Sequence, residues 1–334
     1  MIIEEPDLSV LDAATVFDID DPRWAKIGKL VDCISCYTET PARKIVDHAL
    51  AHNMVLTNKV PLTAKHIAAL PDLKYIGVLA TGYNIIDLAA ATEAGIVVTN
   101  IPAYSTASVA QHAISLLLAI TNRVESYSTE VHGGRWTASS AFTFLIEDWH
   151  ELDGKTFGVV GFGNTGRATA AIAKALGMKI AVYTSKSQQE LPEGYVKVGL
   201  DELFANSDVV SLHCPLTPDT QGLVNSRRLR LMKRSAILIN TSRGPVVNAT
   251  DLAKALVEGR IYAAGIDVLD NEPPRPGNPL LAAPRCYITP HIAWESVEAR
   301  ERLLDIAAEN VKAFIDGNPI NVVNKEVLGH IGFE

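Results

Sequence analysis

The sequence predicts an α/β protein made of two doubly wound parallel-sheet domains. Three observations carry that expectation. Short β-branched runs alternate with Ala- and Leu-rich helical stretches, the pattern of parallel strands joined by crossover helices. The chain has 334 residues, which suits about two domains of roughly 100–200 residues each. One strand-to-helix junction carries glycines at a fixed spacing, Gly161, Gly163 and Gly166.

In the first hundred residues the expected strands are 9–11, 32–37, 54–57, 74–80 and 96–99, with helices over 42–52 and 63–70. Asp87 is placed to cap a helix running to Glu93, and Gly95 to end it. Asn100-Ile101-Pro102 breaks the alternation. A long helix is expected over 107–120, capped by Ser105 or Thr106, then a second helical stretch to His132. Gly133-Gly134-Arg135-Trp136 ends it and leads into a loop rich in aromatics: Trp136, Phe142, Phe144 and Trp149. A second α/β series has strands at 156–160, 179–183, 196–198, 209–212, 236–240, 263–267 and 287–289. A last amphipathic helix covers 296–316, before Gly317 and Pro319. A ligand cleft between two α/β domains is the natural expectation.

Composition narrows the function. Apolar residues make up 48% and charged residues 20%, which argues against a disordered, collagenous or coiled-coil chain. No run approaches the roughly 20 uncharged apolar residues that span a bilayer, so no membrane association is expected. The start, Met1 to Asp7, has neither the basic patch nor the apolar stretch of a secretory signal. Net charge is −8, from 30 Lys and Arg against 38 Asp and Glu, a poor basis for wrapping nucleic acid. Cys33, Cys36, Cys214 and Cys286 are too few for a disulfide framework in a chain this size, so the expected compartment is a reducing cytoplasm. Cys33-Ile34-Ser35-Cys36 has the C-x-x-C spacing, but no second pair completes a metal site. Two small residues on a buried strand is the better account, and no metal is expected.

The most informative stretch is Phe157-Gly-Val-Val-Gly161-Phe-Gly163-Asn-Thr-Gly166. It follows an apolar strand, opens an Ala-rich helix lasting to Gly177, and is followed by another strand, the context a dinucleotide fingerprint requires. Gly161 permits the tight turn, Gly163 lets a pyrophosphate approach the backbone, and Gly166 lets the helix pack on the strand. The amides of Asn164, Thr165 and Gly166 then face the phosphates at a helix N-terminus. A Rossmann-like domain and a nicotinamide cofactor follow. The end of the next strand reads Tyr183-Thr184-Ser185-Lys186-Ser187, with no acid before Glu190. A carboxylate there would bond the ribose 2′-hydroxyl of NAD. Thr184 and Ser185 can instead donate hydrogen bonds and Lys186 can neutralise a 2′-phosphate, so NADP(H) is favoured modestly over NAD(H).

Three further segments fall at C-terminal strand ends, where open α/β sheets place ligands. They are Asn240-Thr241-Ser242-Arg243, Asp267 to Glu272, and Pro290-His291-Ile-Ala-Trp294. A His exchanges protons near neutral pH, a neighbouring Glu favours its charged form, and an Arg clamps a carboxylate with two parallel hydrogen bonds. Arg243, Glu272 and His291 are therefore the expected catalytic set. Lys59, at another strand end, is a candidate substrate contact. His48, His52, His66, His112, His132 and His150 lie in or beside helical stretches and read as surface or packing residues. Arg227, Arg228, Arg230, Lys233 and Arg234 read as a solvated helix face.

With these residues in view, the chain resembles the D-isomer-specific 2-hydroxyacid dehydrogenases over essentially its full length. The matching stretches are Ala80-Thr81-Gly82-Tyr83-Asn84, Ser108-Val-Ala-Gln111, the 161–166 turn, Ser211-Leu-His213-Cys214-Pro215-Leu-Thr-Pro, Asn240-Thr-Ser-Arg243-Gly-Pro, Asp267 with Glu272-Pro, and Pro290-His291. The first of these and Pro290-His-Ile-Ala-Trp294 resemble the hydroxypyruvate reductase, or glycerate dehydrogenase, branch.

The resemblance implies that His291 donates the proton when a 2-keto acid is reduced, that Glu272 holds it protonated, and that Arg243 binds the carboxylate and polarises the C2 carbonyl. It also implies that the backbone of Ala80, Thr81 and Gly82 holds the other side of the carboxylate, and that Trp294 borders C3. Asp267 would accept from the nicotinamide carboxamide. Thr106 and Asn240, Thr241 and Ser242 would line the ring, and His213, Cys214 and Pro215 the adenine side. It implies a discontinuous flavodoxin-like substrate domain, 1–100 plus 294–334, around a cofactor domain of 101–293. A homodimer is implied too, with 101–150 as its interface segment and Trp136 either capping the partner's active site or filling the dimer core. The substrate expected is hydroxypyruvate or glyoxylate, giving D-glycerate or glycolate. D-3-phosphoglycerate and D-lactate dehydrogenases are rivals within the class. A dinucleotide-sensing, corepressor-like protein is the rival outside it.

Overall fold

The alternation of apolar runs and Ala-rich stretches resolves into two separate sheets. The computed structural model describes residues 5–147 and 150–330; Trp149 of the aromatic loop and residues 1–4 of the chain's start lie outside them. The strands are β1 Asp7–Val10, β2 Cys33–Cys36, β3 Met54–Thr57, β4 Tyr75–Val78, β5 Val97–Thr99, β6 Thr156–Val160, β7 Lys179–Tyr183, β8 Tyr195–Lys197, β9 Val209–Leu212, β10 Ile237–Asn240, β11 Ala263–Ile266 and β12 Cys286–Ile288. The helices are α1 Ala25–Gly28, α2 Ile45–Ala49, α3 Ala64–Ala68, α4 Leu88–Glu93, α5 Thr106–Asn122, α6 Val124–His132, α7 Asn164–Ala175, α8 Leu200–Asn206, α9 Ser226–Leu231, α10 Ala249–Val257, α11 Val297–Ile315 and α12 Glu326–His330. One compact unit comprises Met1–Ser105 with Glu295–Glu334, and the other is Thr106–Trp294.

The first unit holds a parallel sheet of order β2-β1-β3-β4-β5. This is a flavodoxin-like winding, with its reversal between β1 and β3. Every residue of β3 and β4 is buried, as central parallel strands covered on both faces require. Asp87 accepts from Ala90 N at the start of α4, and Gly95, at φ +72°, turns the chain out of it. Helix α11 comes from the far end of the chain. Ser296 caps it, and it buries Leu303, Leu304, Ala307, Val311 and Phe314, the last stacked on Tyr75 at 4.7 Å. Beyond it, Val323 N donates to Val98 O and Val98 N donates to Asn324 Oδ1, so the returning segment covers the β5 edge.

The second unit has seven parallel strands in the order β12-β11-β10-β9-β6-β7-β8. Counted from β6, this is the 3-2-1-4-5-6 winding of dinucleotide-binding sheets with a seventh strand at the far edge, and the reversal lies between β6 and β9. Alternation along β6 divides the core. Phe157 and Val159 pack with Leu116, Leu117 and Ile120 of α5 and with Ala170 and Ala173 of α7. Val160 packs on the other side with Leu203, Phe204, Leu229 and Leu252.

Two expectations need correction. The strand bearing Cys33 and Cys36 is not buried: β2 is the sheet edge, with Cys33 exposed and Cys36 half-buried. Its β-branched and small residues read like core because edge and central strands share a composition. A 3₁₀ turn at Pro22–Trp24 running into α1 was not expected; Asp21 caps it and Trp24 is buried. Strand ends elsewhere shift by one or two residues, as at β8, expected over 196–198.

Candidate active site

The glycine turn and the β9 end face each other at the reversal of the second unit. Gly161 has φ +92°, and a Cβ on it would lie 2.8 Å from Cys214 N and from the His213 carbonyl. A Cβ on Gly166 would lie 2.1 Å from Gly161 O, so α7 can begin this close only without a side chain there. Gly163 differs: a Cβ on it would meet nothing within 4 Å. The first-turn amides of α7 at Asn164, Thr165 and Gly166 border that open space and have no acceptor inside the helix. The cradle fits a pyrophosphate. Beside it His213 Nε2 is hydrogen-bonded to Ser211 Oγ at 2.8 Å, and burial pushes its imidazole down to about 4, so the ring is neutral. Burial also raises the Cys214 thiol; Pro215 is exposed next to it.

At the β7 end, Thr184 Oγ1 accepts from Lys186 N and Lys197 Nζ donates to Lys186 O. The nearest acid, Glu190, is already engaged: its Oε2 accepts from Ser187 N at 2.7 Å and Ser187 Oγ at 2.9 Å, which holds its pKa below the usual carboxylate range. Ser185 is exposed and Lys186 half-exposed.

The β10 end is wound round one side chain. Asn240 Oδ1 accepts from Ser242 N and Ser242 Oγ, and Asn240 Nδ2 donates to Arg243 O. Asn240 thus shapes the turn. Thr241 Oγ1 is buried with no protein partner, a polar atom suited to a ligand. Arg243 Nη1 donates to Ser242 O at 2.7 Å. Gly244 then meets the loop after β11: a Cβ on it would lie 2.0 Å from the carbonyl of Leu269. In that loop Leu269 N donates to Glu272 Oε1 at 2.9 Å, while Glu272 Oε2 accepts from His291 Nδ1 at 2.6 Å. Glu272 is thereby fixed at both oxygens, and the imidazole is left with Nε2 as the nitrogen to exchange a proton.

His291 lies in a left-handed turn, φ +57°, after β12. Asp267 builds that turn. Its backbone O accepts from His291 N, its Oδ1 from Ile292 N and Thr289 Oγ1, and its Oδ2 from Ala293 N. Burial works against its charge, but the hydrogen bonds from His112, Thr289, Ala293 and Ile292 outweigh it and hold its pKa below the usual range. The expected carboxamide acceptor is therefore first a structural anchor. Trp294 is buried at the end of this segment, and Thr106 opens α5.

Lys59, Ala80, Thr81 and Gly82 belong to the first unit, at the ends of β3 and β4. Lys59 is exposed, and its loop is held by Asp12, whose carboxylate accepts from Asn58 N at 2.8 Å, Lys59 N at 2.6 Å and Val60 N at 3.3 Å. Thr81 Oγ1 donates to Ile101 O, and Asn100 Nδ2 donates to Thr81 O. Asp12 carries no signal in the sequence, and Gly244 and Ser211, though inside the matching stretches, gain their roles only from approaches made in the fold. His66, which reads as a surface or packing residue, forms a capping box with Thr63 on α3. Among the described residues no group of three or more His, Cys, Asp or Glu side chains could hold a metal, and no helix is long and apolar enough to cross a membrane.

Comparison with known proteins agrees with this geometry. Residues 114–293 match the family model for the D-isomer specific 2-hydroxyacid dehydrogenase, NAD binding domain. The chain is 44% identical to a hydroxypyruvate reductase of Blautia hydrogenotrophica, covering 91% of this chain and 96% of that one. It is 41% identical to a glycerate dehydrogenase of Methylorubrum extorquens, covering 86% and 90%. A crystal structure of a Thermus thermophilus protein superposes with a TM-score of 0.83 at 34% identity, covering 95% of this chain and 99% of that one. The chain belongs to the D-isomer specific 2-hydroxyacid dehydrogenase family.

Proposed function

We propose that this protein reduces hydroxypyruvate and glyoxylate to D-glycerate and glycolate, with NADPH preferred over NADH. The observation that carries the reading is the His291–Glu272 pair at 2.6 Å, in the same unit as the open glycine turn. The names of the relatives support the substrate class. The lysines at the β7 end and the engagement of Glu190 support the cofactor preference.

The 161–166 turn would hold the pyrophosphate and Thr184, Ser185 and Lys186 the 2′-phosphate. His213, Cys214 and Pro215 would border the adenine, and Thr106, Asn240, Thr241, Ser242 and Asp267 the nicotinamide. When bound, the reduced nicotinamide supplies a hydride to C2 of the keto acid. In the second unit Arg243 would bind the substrate carboxylate and Trp294 would flank the substituent at C3; in the first unit the backbone of Ala80, Thr81 and Gly82 and the side chain of Lys59 are the candidate substrate contacts. Arg243 and protonated His291 stabilise the negative charge that gathers on the C2 oxygen. His291 Nε2 then gives its proton to that oxygen, completing the hydroxyl, while Glu272 keeps the Nδ1 proton and the ring orientation.

In this reading the first unit binds substrate and the second the dinucleotide. The protein is a cytoplasmic homodimer that contacts its partner through 101–150. Support comes from the four free thiols and from the apolar side chains that arm exposes, Phe142 at 89% and Trp136 at 51%.

The test is a panel of small 2-keto acids assayed with each cofactor by nicotinamide absorbance. Hydroxypyruvate and glyoxylate should turn over fastest, with the lower KM for NADPH. Inactivity toward every 2-keto acid would point to a sensor instead, and a strong NADH preference would remove the cofactor assignment. His291→Ala should abolish turnover; an enzyme that keeps most of it would refute the proton-donor role.

A further inference from the structure

We propose that Ser108 and His112, one turn apart on α5, are positioning residues that clamp the turn carrying His291. The inference rests on the reading of His291 as the proton donor.

The turn needs holding. His291 occupies a left-handed conformation at φ +57°, which a side chain with a Cβ adopts only when its surroundings impose it. Asp267 imposes it from the β11 side. Helix α5 does so from the other. Ser108 Oγ donates to Ala293 O at 2.6 Å, and His112 Nε2 is hydrogen-bonded to Thr289 Oγ1 at 2.9 Å. The two contacts bracket His291, two residues before it and two after. Ser108 and His112 are four apart and therefore share one face of the helix. The helix is a firm support, because it buries Ala113, Ile114, Leu116, Leu117 and Ile120.

Proton accounting gives the His112 contact a direction. Thr289 Oγ1 donates its proton to the ionised Asp267 Oδ1 at 2.7 Å, so toward His112 it can only accept. His112 must then carry its proton on Nε2. His112 reaches Asp267 both through Thr289 and directly, its Nε2 lying 3.5 Å from Asp267 Oδ1, and Asp267 holds the amides of His291's two successors, Ile292 and Ala293. His112 touches none of the reacting atoms in this scheme. It sets the place from which the imidazole proton departs, and small misplacements of a reacting group are costly in rate.

The test uses the full-length protein and the single-turnover rate of NADPH oxidation by hydroxypyruvate. His112→Leu keeps the bulk and removes the donor. We expect a rate about five- to tenfold lower, the effect of one neutral hydrogen bond, with KM and the NADPH dissociation constant within about twofold. His112→Gln places an amide N–H near the position of Nε2–H and should restore most of the rate. Thr289→Val, which leaves the direct His112–Asp267 contact, should also slow the rate, and the loss in the double variant should fall short of the product of the two single losses, because the residues share one network. A His112→Leu enzyme as fast as the parent, a Gln variant no better than Leu, or a loss confined to KM would overturn the clamp. His291→Ala is run alongside. If it is inactive while His112→Leu is unaffected, the clamp alone fails; if it retains turnover, the proton-donor reading fails and takes the clamp with it. Thermal unfolding of each variant separates slow chemistry from loss of fold.

Discussion

Gly244→Ala is the sharpest perturbation of the catalytic geometry that leaves every polar group in place. A methyl at this position would sit 2.0 Å from the Leu269 carbonyl carbon and oxygen and 2.5 Å from Asp270 N. Ordinary contact begins near 3.4 Å, so the two backbones must part by about 1.4 Å. Neither partner is a flexible side chain that can swing away. One backbone carries Arg243, and the other supplies the Leu269 amide that anchors Glu272. A displacement of about 1 Å at a reacting group costs roughly a hundredfold, or about 2.7 kcal/mol of transition-state stabilisation. Overpacking adds about 1–3 kcal/mol of destabilisation, several degrees in unfolding temperature. The assay is kcat/KM for hydroxypyruvate with NADPH, together with thermal unfolding and NADPH titration by fluorescence. We expect kcat/KM at least about a hundredfold lower, with NADPH binding retained through the 161–166 turn. A variant within about threefold of the parent would show that the Arg243 and Glu272 loops need no fixed spacing, and the geometric argument would fall.

Other outcomes follow from the same geometry. Gly163→Ala puts a methyl where no atom lies within 4 Å, so stability should stay within about 0.5 kcal/mol while dinucleotide affinity falls at least tenfold; a tightly binding variant would move the pyrophosphate elsewhere. His213 has a folded-state pKa of about 4 against 6.5 unfolded, so on acidification the unfolded chain takes the proton first. Its contribution is complete above 6.5, is lost toward about 4, and amounts to on the order of 3 kcal/mol; denaturant titrations across that window should show a shallower loss in His213→Gln. Asp12→Ala leaves the amides of Asn58 and Lys59 without their acceptor, while Val60 N keeps Thr57 Oγ1 at 3.0 Å, and should cost about 2–5 kcal/mol, readable in urea; an unchanged midpoint would dismiss the staple.

What the sequence reveals depends on how local each cause is. Met54–Thr57, Thr156–Val160, Lys179–Tyr183 and Val209–Leu212 fall where the apolar runs put them, because a strand in a parallel sheet states its burial in its own residues. Cys33–Cys36 has strand composition but lies at an edge, and only strand order reveals an edge. The Glu272–His291 contact expected from strand ends is present at 2.6 Å, because both residues follow adjacent strands, β11 and β12. The links from Ser108 and His112 to their turn span 185 and 177 residues, and no window along the chain contains both partners. A His on a helix reads as a surface or packing residue, and nothing in its neighbourhood along the chain names Thr289 as its partner. Gly244 belongs to the matching stretch Asn240-Thr-Ser-Arg243-Gly-Pro, but why it must be glycine lies in the backbone of Leu269.

Asp12 bears on stoichiometry. The N-terminal sheet reverses its winding between β1 and β3, the spot where flavodoxin-like proteins lodge a phosphate-bearing guest. Here an acidic side chain of the protein's own already takes up the three amides that could greet such a guest, and its charge would repel the newcomer. Two sheets of kindred winding therefore share a polypeptide that should saturate with a single nucleotide per subunit, and equilibrium dialysis would count it.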